Sequence, residues 1–236
     1  MNSFTFVIPY YRNPEMLKIQ VENWNQYPHW IRDQVRVILI DDASPEPAEP
    51  IFRQCELRKS LYRVVEDIPW HQHSARNLGA KAMGKDDAWG LFTDMDILFE
   101  PETVERMLAK KWLPTEHYTF QRKFKDGRPP RYHCNSFLAT RGAYWSVGGY
   151  DERFSGTYGG DGIFLRALER EAPRVHWEDI WCVGYNDTVP DCSTRDWGRK
   201  DTEWHKEYIR RRNEYKSVPG GLVPRNALQF DWKRIF

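Results

Sequence analysis

The sequence predicts an α/β domain, a mostly parallel twisted sheet with helices on both faces. Two observations carry that expectation. Short β-rich runs alternate with helical stretches over residues 4–110, which is the rhythm of βαβ units. Residues 35–40 are apolar at five of six positions, as a strand buried on both faces requires. At 236 residues, the chain suits one large domain with a sizeable core.

The elements follow in order. Residues 4–8 are β-rich and are closed by Pro9. Asn13 and Pro14 mark a helix start, a capping side chain followed by a residue with no N–H to lose. That helix carries Met16, Leu17, Ile19, Val21 and Trp24. The strand at 35–40 runs into Asp41 and Asp42. A helix over 47–59, a strand over 61–65 and a helix over 74–83 come next. Residues 101–110 read as a helix with acids in its first turn and lysines in its last, matching its dipole. Residues 118–125 and 132–140 read as a strand pair turning at Asp126 and Gly127. Its basic tip, 122–131, suits either a mobile loop over an anionic ligand or an ordinary exposed hairpin. Gly159, Gly160, Asp161 and Gly162 then lead into a helix carrying Ile163, Phe164, Leu165 and Leu168.

Residues 89–99 bear the most chemistry. They read as a short apolar strand ending in Asp94 and Asp96. Residues two apart on a strand share a face, so the two carboxylates project together while Met95 turns away. Paired hard oxygens suit Mg²⁺ or Mn²⁺, which leave positions open for a substrate's phosphates. An Asp-x-Asp arises by chance about once in such a chain. Its place at a strand's carboxyl end, where open α/β sheets bind ligands, gives it weight.

Composition narrows the class. Net charge is +1, but residues 192–236 hold eleven Lys/Arg against six Asp/Glu. This basic stretch is either a surface for an anionic partner or a solvated helix. Cys55, Cys134, Cys182 and Cys192 show neither zinc spacing nor a CxxC pair, which points to a reducing cytoplasm rather than a disulfide framework. The first residues lack a basic n-region, so no signal peptide is expected. No apolar run approaches the ~20 residues that span a bilayer.

Five segments stand in a telling order. They are Val7-Ile8-Pro9-Tyr10-Tyr11, Ile40-Asp41-Asp42-Ala43-Ser44, Ala75-Arg76-Asn77-Leu78-Gly79, Phe92-Thr93-Asp94-Met95-Asp96 and Val147-Gly148-Gly149-Tyr150-Asp151-Glu152-Arg153-Phe154. Together they resemble the GT-A fold glycosyltransferases, most closely family 2 and its galactosyltransferase-like relatives, over residues 4–169. The resemblance implies that Pro9, Tyr10 and Tyr11 border a nucleoside pocket. It implies that Asp42 bonds the base, that Arg76 lies near the nucleotide, and that Asp94 lies against the ribose or donor sugar. Asp96, with Asp94, would hold Mn²⁺ or Mg²⁺ on the diphosphate. Asp161 is the candidate catalytic base, with Asp151 and Glu152 as rivals. A third metal ligand is sought in the later part, at His176 or at the Asn186-Asp187 pair. Residues 1–190 would form the transferase domain, with nucleotide-binding residues 1–100 and acceptor-binding residues 101–190. Residues 191–236 would be a basic extension packing on or closing over the site.

The implied activity is metal-dependent, inverting transfer of a sugar from a nucleotide-sugar, UDP-linked by resemblance, to an acceptor hydroxyl. The acceptor classes left open are glycan, protein, lipid-linked sugar and modified nucleic acid. Two alternatives stand beside it. One is a binding protein on the same scaffold without turnover. The other is a sugar nucleotidyltransferase, disfavoured because no glycine-rich phosphate loop follows the first strand.

Overall fold

A computed structural model describes residues 2–68, 70–155, 160–185, 202–217 and 227–236. The chain begins with β1 (Phe4–Tyr10), α1 (Pro14–Asn25), α2 (His29–Arg32) and β2 (Val35–Asp41). Then come α3 (Glu49–Phe52), β3 (Arg58–Val64), α4 (Gln72–Ala82), β4 (Trp89–Phe92), β5 (Ile97–Leu98) and α5 (Pro101–Ala109). The hairpin β6 (His117–Phe124) and β7 (Arg131–Thr140) leads to α6 (Arg141–Ser146), α7 (Asp161–Glu171) and β8 (Arg174–Gly184). Helix α8 (Thr202–Ser217) and strand β9 (Trp232–Arg234) follow.

Among the described residues all strands join one sheet, in the order β5-β8-β6-β7-β4-β1-β2-β3-β9. Its centre is the expected parallel block, β4-β1-β2-β3. Antiparallel pairings of β7 on β4 and β9 on β3 extend it on both sides. Alternation along the central strands builds a core on each face. Phe6 and Ile8 of β1 join Val37 and Leu39 of β2 on one face, packed with Leu17 and Trp24 of α1. Val7, Ile38 and Ile40 face the other way, against Ala75 and Leu78 of α4.

Two elements differ from the sequence reading. The helix expected over 47–59 is the four-residue α3. Pro50 stands in its first turn, and the chain leaves helical geometry where the Asn25 side chain accepts a bond from the Glu56 N–H at 2.8 Å. The strand expected to carry Asp94 and Asp96 stops at Phe92. The aspartates lie in a turn, closed by a bond from Ile97 N–H to the Asp94 carbonyl at 3.2 Å, which carries the chain to β5 at the far edge of the sheet. Gln20 of α1 secures that turn, its amide donating to the carbonyls of Met95 (2.9 Å) and Ile97 (2.8 Å). No helix among the described residues is long and apolar enough to cross a membrane.

Helix α4 meets β1 through a glycine. A Cβ on Gly79 would stand 2.3 Å from Val7 Cγ1. Alanine would favour the helix by up to ~1 kcal/mol, but the clash in a packed core costs more. Gly79→Ala is expected to destabilise the fold by about 1–3 kcal/mol in urea titration. Trimming its neighbour in the double variant Val7→Ala/Gly79→Ala should show favourable coupling; strictly additive losses would mean that the close approach is unimportant.

Candidate active site

The carboxyl ends of β1 and β2 form one wall. Asp42 N–H bonds the Tyr10 carbonyl at 2.9 Å, so Asp42 sits immediately beside the end of β1. Its neighbour Asp41 is consumed by structure: one oxygen accepts from Ser44 N–H and the other from Ala48 N–H and Arg63. The Asp42 carboxylate instead meets His71 Nδ1 at 2.9 Å, and both side chains are buried. Burial pushes the Asp42 carboxyl up from its ordinary value, and His71 opposes that rise. Pro9 lies on β1 beside them. Buried Tyr10 donates to the Glu46 carbonyl at 2.9 Å, while Tyr11 donates to Asp67 at 3.0 Å. The wall is strained. Arg12 (φ 47°), Ala43 (φ 53°) and Trp70 (φ 48°) adopt the left-handed conformation that side chains disfavour.

Arg76 is the centre of the second wall. It is 0% exposed on α4, and its guanidinium pairs with Asp94 through Nη2 and with Asp161 Oδ1 through Nη1 at 3.3 Å. A buried cation is tolerable only with such partners. Burial alone would lower its pKa, but Asp94 and Asp161 hold it above the ordinary value. His73, three residues earlier on the same helix face, brings Nε2 to 3.0 Å from the same Asp161 oxygen. Asp161 opens α7, where a negative charge is favoured. Burial would raise its carboxyl, but His73 and Arg76 bring it down to about 2. Gly160 makes the approach possible, since a Cβ there would stand 2.8 Å from the His73 ring.

Asp94 has a further side. Its Oδ2 lies 3.3 Å from Asn135 Nδ2 and 3.5 Å from His133 Nε2. His133 and Asn135 are two apart on β7 and so reach one face. His133 Nδ1 meets Ser136 Oγ at 2.9 Å, and Ser136 meets Thr93 Oγ1 at 2.7 Å. Burial, with Arg122 and Arg76 nearby, lowers the His133 imidazole to about 4 against the opposing pull of Asp94. Asp94 and Asp96 are both partly exposed while Met95 is buried, although they lie in a turn and not on the expected strand.

His176 lies elsewhere. Thr119 stands opposite it and Phe124 opposite Gly184, which puts His176 five β6 residues away from the end of β8, about 17 Å at strand spacing. That end is where Tyr185 N–H bonds the Asp96 carbonyl at 2.8 Å. His176 Nδ1 meets Thr119 Oγ1 at 2.9 Å. The structure therefore separates His176 from the aspartate pair and places His133 beside Asp94. The Asn186-Asp187 pair lies outside the described residues. Among the described residues, no group of three or more His, Cys, Asp or Glu side chains could hold a metal ion.

The rival carboxylates are already engaged. Asp151 is held by Arg153 at 2.7 Å and by Tyr215 of α8 at 2.7 Å. Glu152 accepts from Asn77, Leu228 N–H and Gln229 N–H. Asn77 also accepts from Tyr144 and Tyr150 N–H, fixing the Gly148-Gly149 turn. A Cβ on Gly149 would stand 2.7 Å from Asn77 Oδ1 at a φ of +69°. One short segment of α4 thus serves three ends: Arg76 the site, Asn77 the glycine turn and Gly79 the sheet.

A parallel-centred sheet with carboxylates gathered at its strand ends is a scaffold of the GT-A type, and the family comparison agrees. The family model described as glycosyl transferase family 2 matches residues 5–160. The chain belongs to that family. No curated protein matches the chain significantly. Among solved structures, it is similar to the mannosyltransferase PcManGT from Pyrobaculum calidifontis in complex with GDP-Man and Mn²⁺, with a TM-score of 0.60 and 14% identity over 88% of this chain and 60% of that one. It is also similar to S. aureus TarS, with a TM-score of 0.61 and 14% identity over 78% of this chain and 36% of that one. TarS 1-349 in complex with UDP gives a TM-score of 0.60 and 16% identity, over 78% of this chain and 60% of that one. The chain thus spans 36–60% of the length of these structures.

The lowered Asp161 pKa fixes a pH dependence. A carboxyl with a folded pKa below its unfolded value stabilises the fold above the unfolded pKa, and that gain vanishes as pH falls through the folded value. For Asp161 the window runs from the ordinary aspartate value of 3.8 down to about 2. Asp161→Asn should be less stable than wild type at pH 7, and the gap should narrow by on the order of 2 kcal/mol between pH 4 and 2 in urea unfolding. A gap independent of pH would show that Arg76 and His73 do not hold this carboxylate.

Proposed function

We propose that the protein is a metal-dependent, inverting glycosyltransferase. It moves a hexose from a nucleoside diphosphate sugar, UDP-linked by resemblance, to an acceptor hydroxyl. The observation that carries the reading is the buried Arg76 shared by Asp94 and Asp161. A donor-side carboxylate and a candidate base lie on one guanidinium, where donor and acceptor must meet. The complexes of the similar structures with GDP-Man and Mn²⁺ and with UDP support the donor class.

The donor set fits a hard divalent ion. Mg²⁺ and Mn²⁺ take one or two carboxylates and complete their shell with water and substrate phosphates. Asp96, joined by Asp94, offers such oxygens. When bound there, Mn²⁺ or Mg²⁺ neutralises charge developing on the leaving diphosphate. Pro9, Tyr10, Tyr11 and Asp42 border the nucleoside. Asp94, already tied to Arg76, Asn135 and His133, faces ribose or sugar. Asp161 receives the acceptor's proton. Among the described residues, its side-chain partners His73 and Arg76 both sit on Oδ1, and Oδ2 is the oxygen that takes the proton. A carboxyl at about 2 is always ionised at working pH but is a weak base, which puts its rate gain at the low end of the usual range, about 10²-fold.

Two substitutions test this. Asp96→Ala should abolish Mn²⁺-dependent UDP binding in calorimetry while the melting temperature holds; wild-type binding by that variant would remove Asp96 from the metal. Asp161→Asn should cut turnover about 10²-fold with donor affinity nearly intact. Near-wild-type turnover would place the base elsewhere.

A further inference from the structure

The Asp42–His71 pair is backed by the segment that carries Phe230. His71 is 3% exposed, and its Nδ1 meets one Asp42 oxygen at 2.9 Å. Against the same ring stands Phe230, edge-on, with ring centroids 4.6 Å apart and planes at 84°. Phe230 is held on both sides. Before it, the backbone N–H groups of Leu228 and Gln229 donate to the Glu152 carboxylate, with Leu228 at φ 60°. After it, Val65 N–H bonds the Asp231 carbonyl at 2.9 Å, and β9 pairs with β3. Trp232 packs on Tyr62 with ring centroids 5.8 Å apart, and Lys81 Nζ stands 5.2 Å from the Trp232 ring centroid. The tail is therefore anchored to the Asp151-Glu152 turn and to the sheet edge, and Phe230 presses on His71 between the two anchors.

We propose that His71, backed by Phe230, is a positioning residue that sets which nucleobases the site accepts. The inference rests on the reading of Asp42 as the group that meets the base. An imidazole N–H donating to one Asp42 oxygen favours the carboxylate form against burial and leaves the other oxygen as the acceptor for the base. An acceptor oxygen suits a base with a ring N–H beside a carbonyl, as uracil and guanine have. It opposes cytosine and adenine, whose corresponding ring nitrogens are themselves acceptors. A site built to bond an N–H discriminates strongly against an analogue lacking it, because the buried carboxylate is then left unpaired. The tail thereby acts on base choice without touching the nucleotide.

Calorimetry with UDP, GDP, CDP and ADP in the presence of Mn²⁺ on the full chain tests this. Wild type should bind UDP or GDP at least about 10-fold more tightly than CDP and ADP, as a charge-assisted hydrogen bond allows. His71→Phe should bring that preference to within about threefold, while His71→Asn, whose amide N–H stands near the Nδ1 position, should restore it. A merely structural role would weaken all four nucleotides together and leave their ratio unchanged; that result overturns the inference. If His71→Phe does not fold, Phe230→Ala carries the same comparison, with a smaller but definite loss of preference expected and an unchanged ratio counting against it. A wild type that binds all four nucleotides alike overturns the inference and leaves the glycosyltransferase reading standing. A wild type that binds none overturns both.

Discussion

A guanidinium with no exposed surface sets the terms for the rest of the site. Arg76 can be buried only because Asp94 and Asp161 share it, and those two carboxylates come from elements distant in the chain. One lies in the turn after β4 and the other opens α7. Removing either leaves charge uncompensated in a poorly solvated place, which is costlier than never having buried it. The cation therefore dictates where the turn and the helix end must be. Gly79 lets α4 approach β1, and Gly160 lets α7 approach His73, so both glycines serve the same ion-pair geometry.

Much of this was legible because it is local. The parallel block followed from apolar runs, and the first helix from Asn13 and Pro14, whose cap is observed as Asn13 accepting from Met16 N–H at 3.2 Å. The aspartate pair was legible as a motif, but not as a turn between strands at different places in the sheet. The crossing to β5 depends on Gln20 and on pairing with β8, which no window of neighbouring residues reveals. The histidines were illegible for a related reason. His71, His73 and His133 each gain a meaning only from a carboxylate that tertiary structure delivers. The i, i+3 spacing of His73 and Arg76 and the i, i+2 spacing of His133 and Asn135 were the signals available. His176 had sequence position in its favour, but strand register carries it away from the aspartates.

Backbone strain follows the same map. Arg12, Ala43, Trp70 and Leu228 are the described non-glycine residues with positive φ. Arg12 bonds Ser44, Ala43 follows Asp42 and Trp70 precedes its partner His71, and the fourth lies in the segment that packs Phe230 on His71. Such conformations cost roughly 1–3 kcal/mol each and persist where surrounding contacts over-determine them. At two of them the contacts are direct: Ser44 Oγ accepts from Arg12 N–H at 3.0 Å, and Glu152 accepts from Leu228 N–H.

The sheet's outermost strands have a consequence beyond catalysis. An exposed strand edge is a template for pairing with another molecule, and short or charged edge strands blunt it. Here the described edges are β5, two residues long, and β9, three residues long with exposed Lys233 and Arg234. Behind them lie much longer strands, the eleven-residue β8 and the seven-residue β3. Both guards are continuous with the site, since β5 follows the aspartate turn and β9 follows Phe230. Damage to either segment uncovers a longer hydrogen-bonding edge, so substitutions made there to probe chemistry also bear on whether the protein stays dispersed in solution.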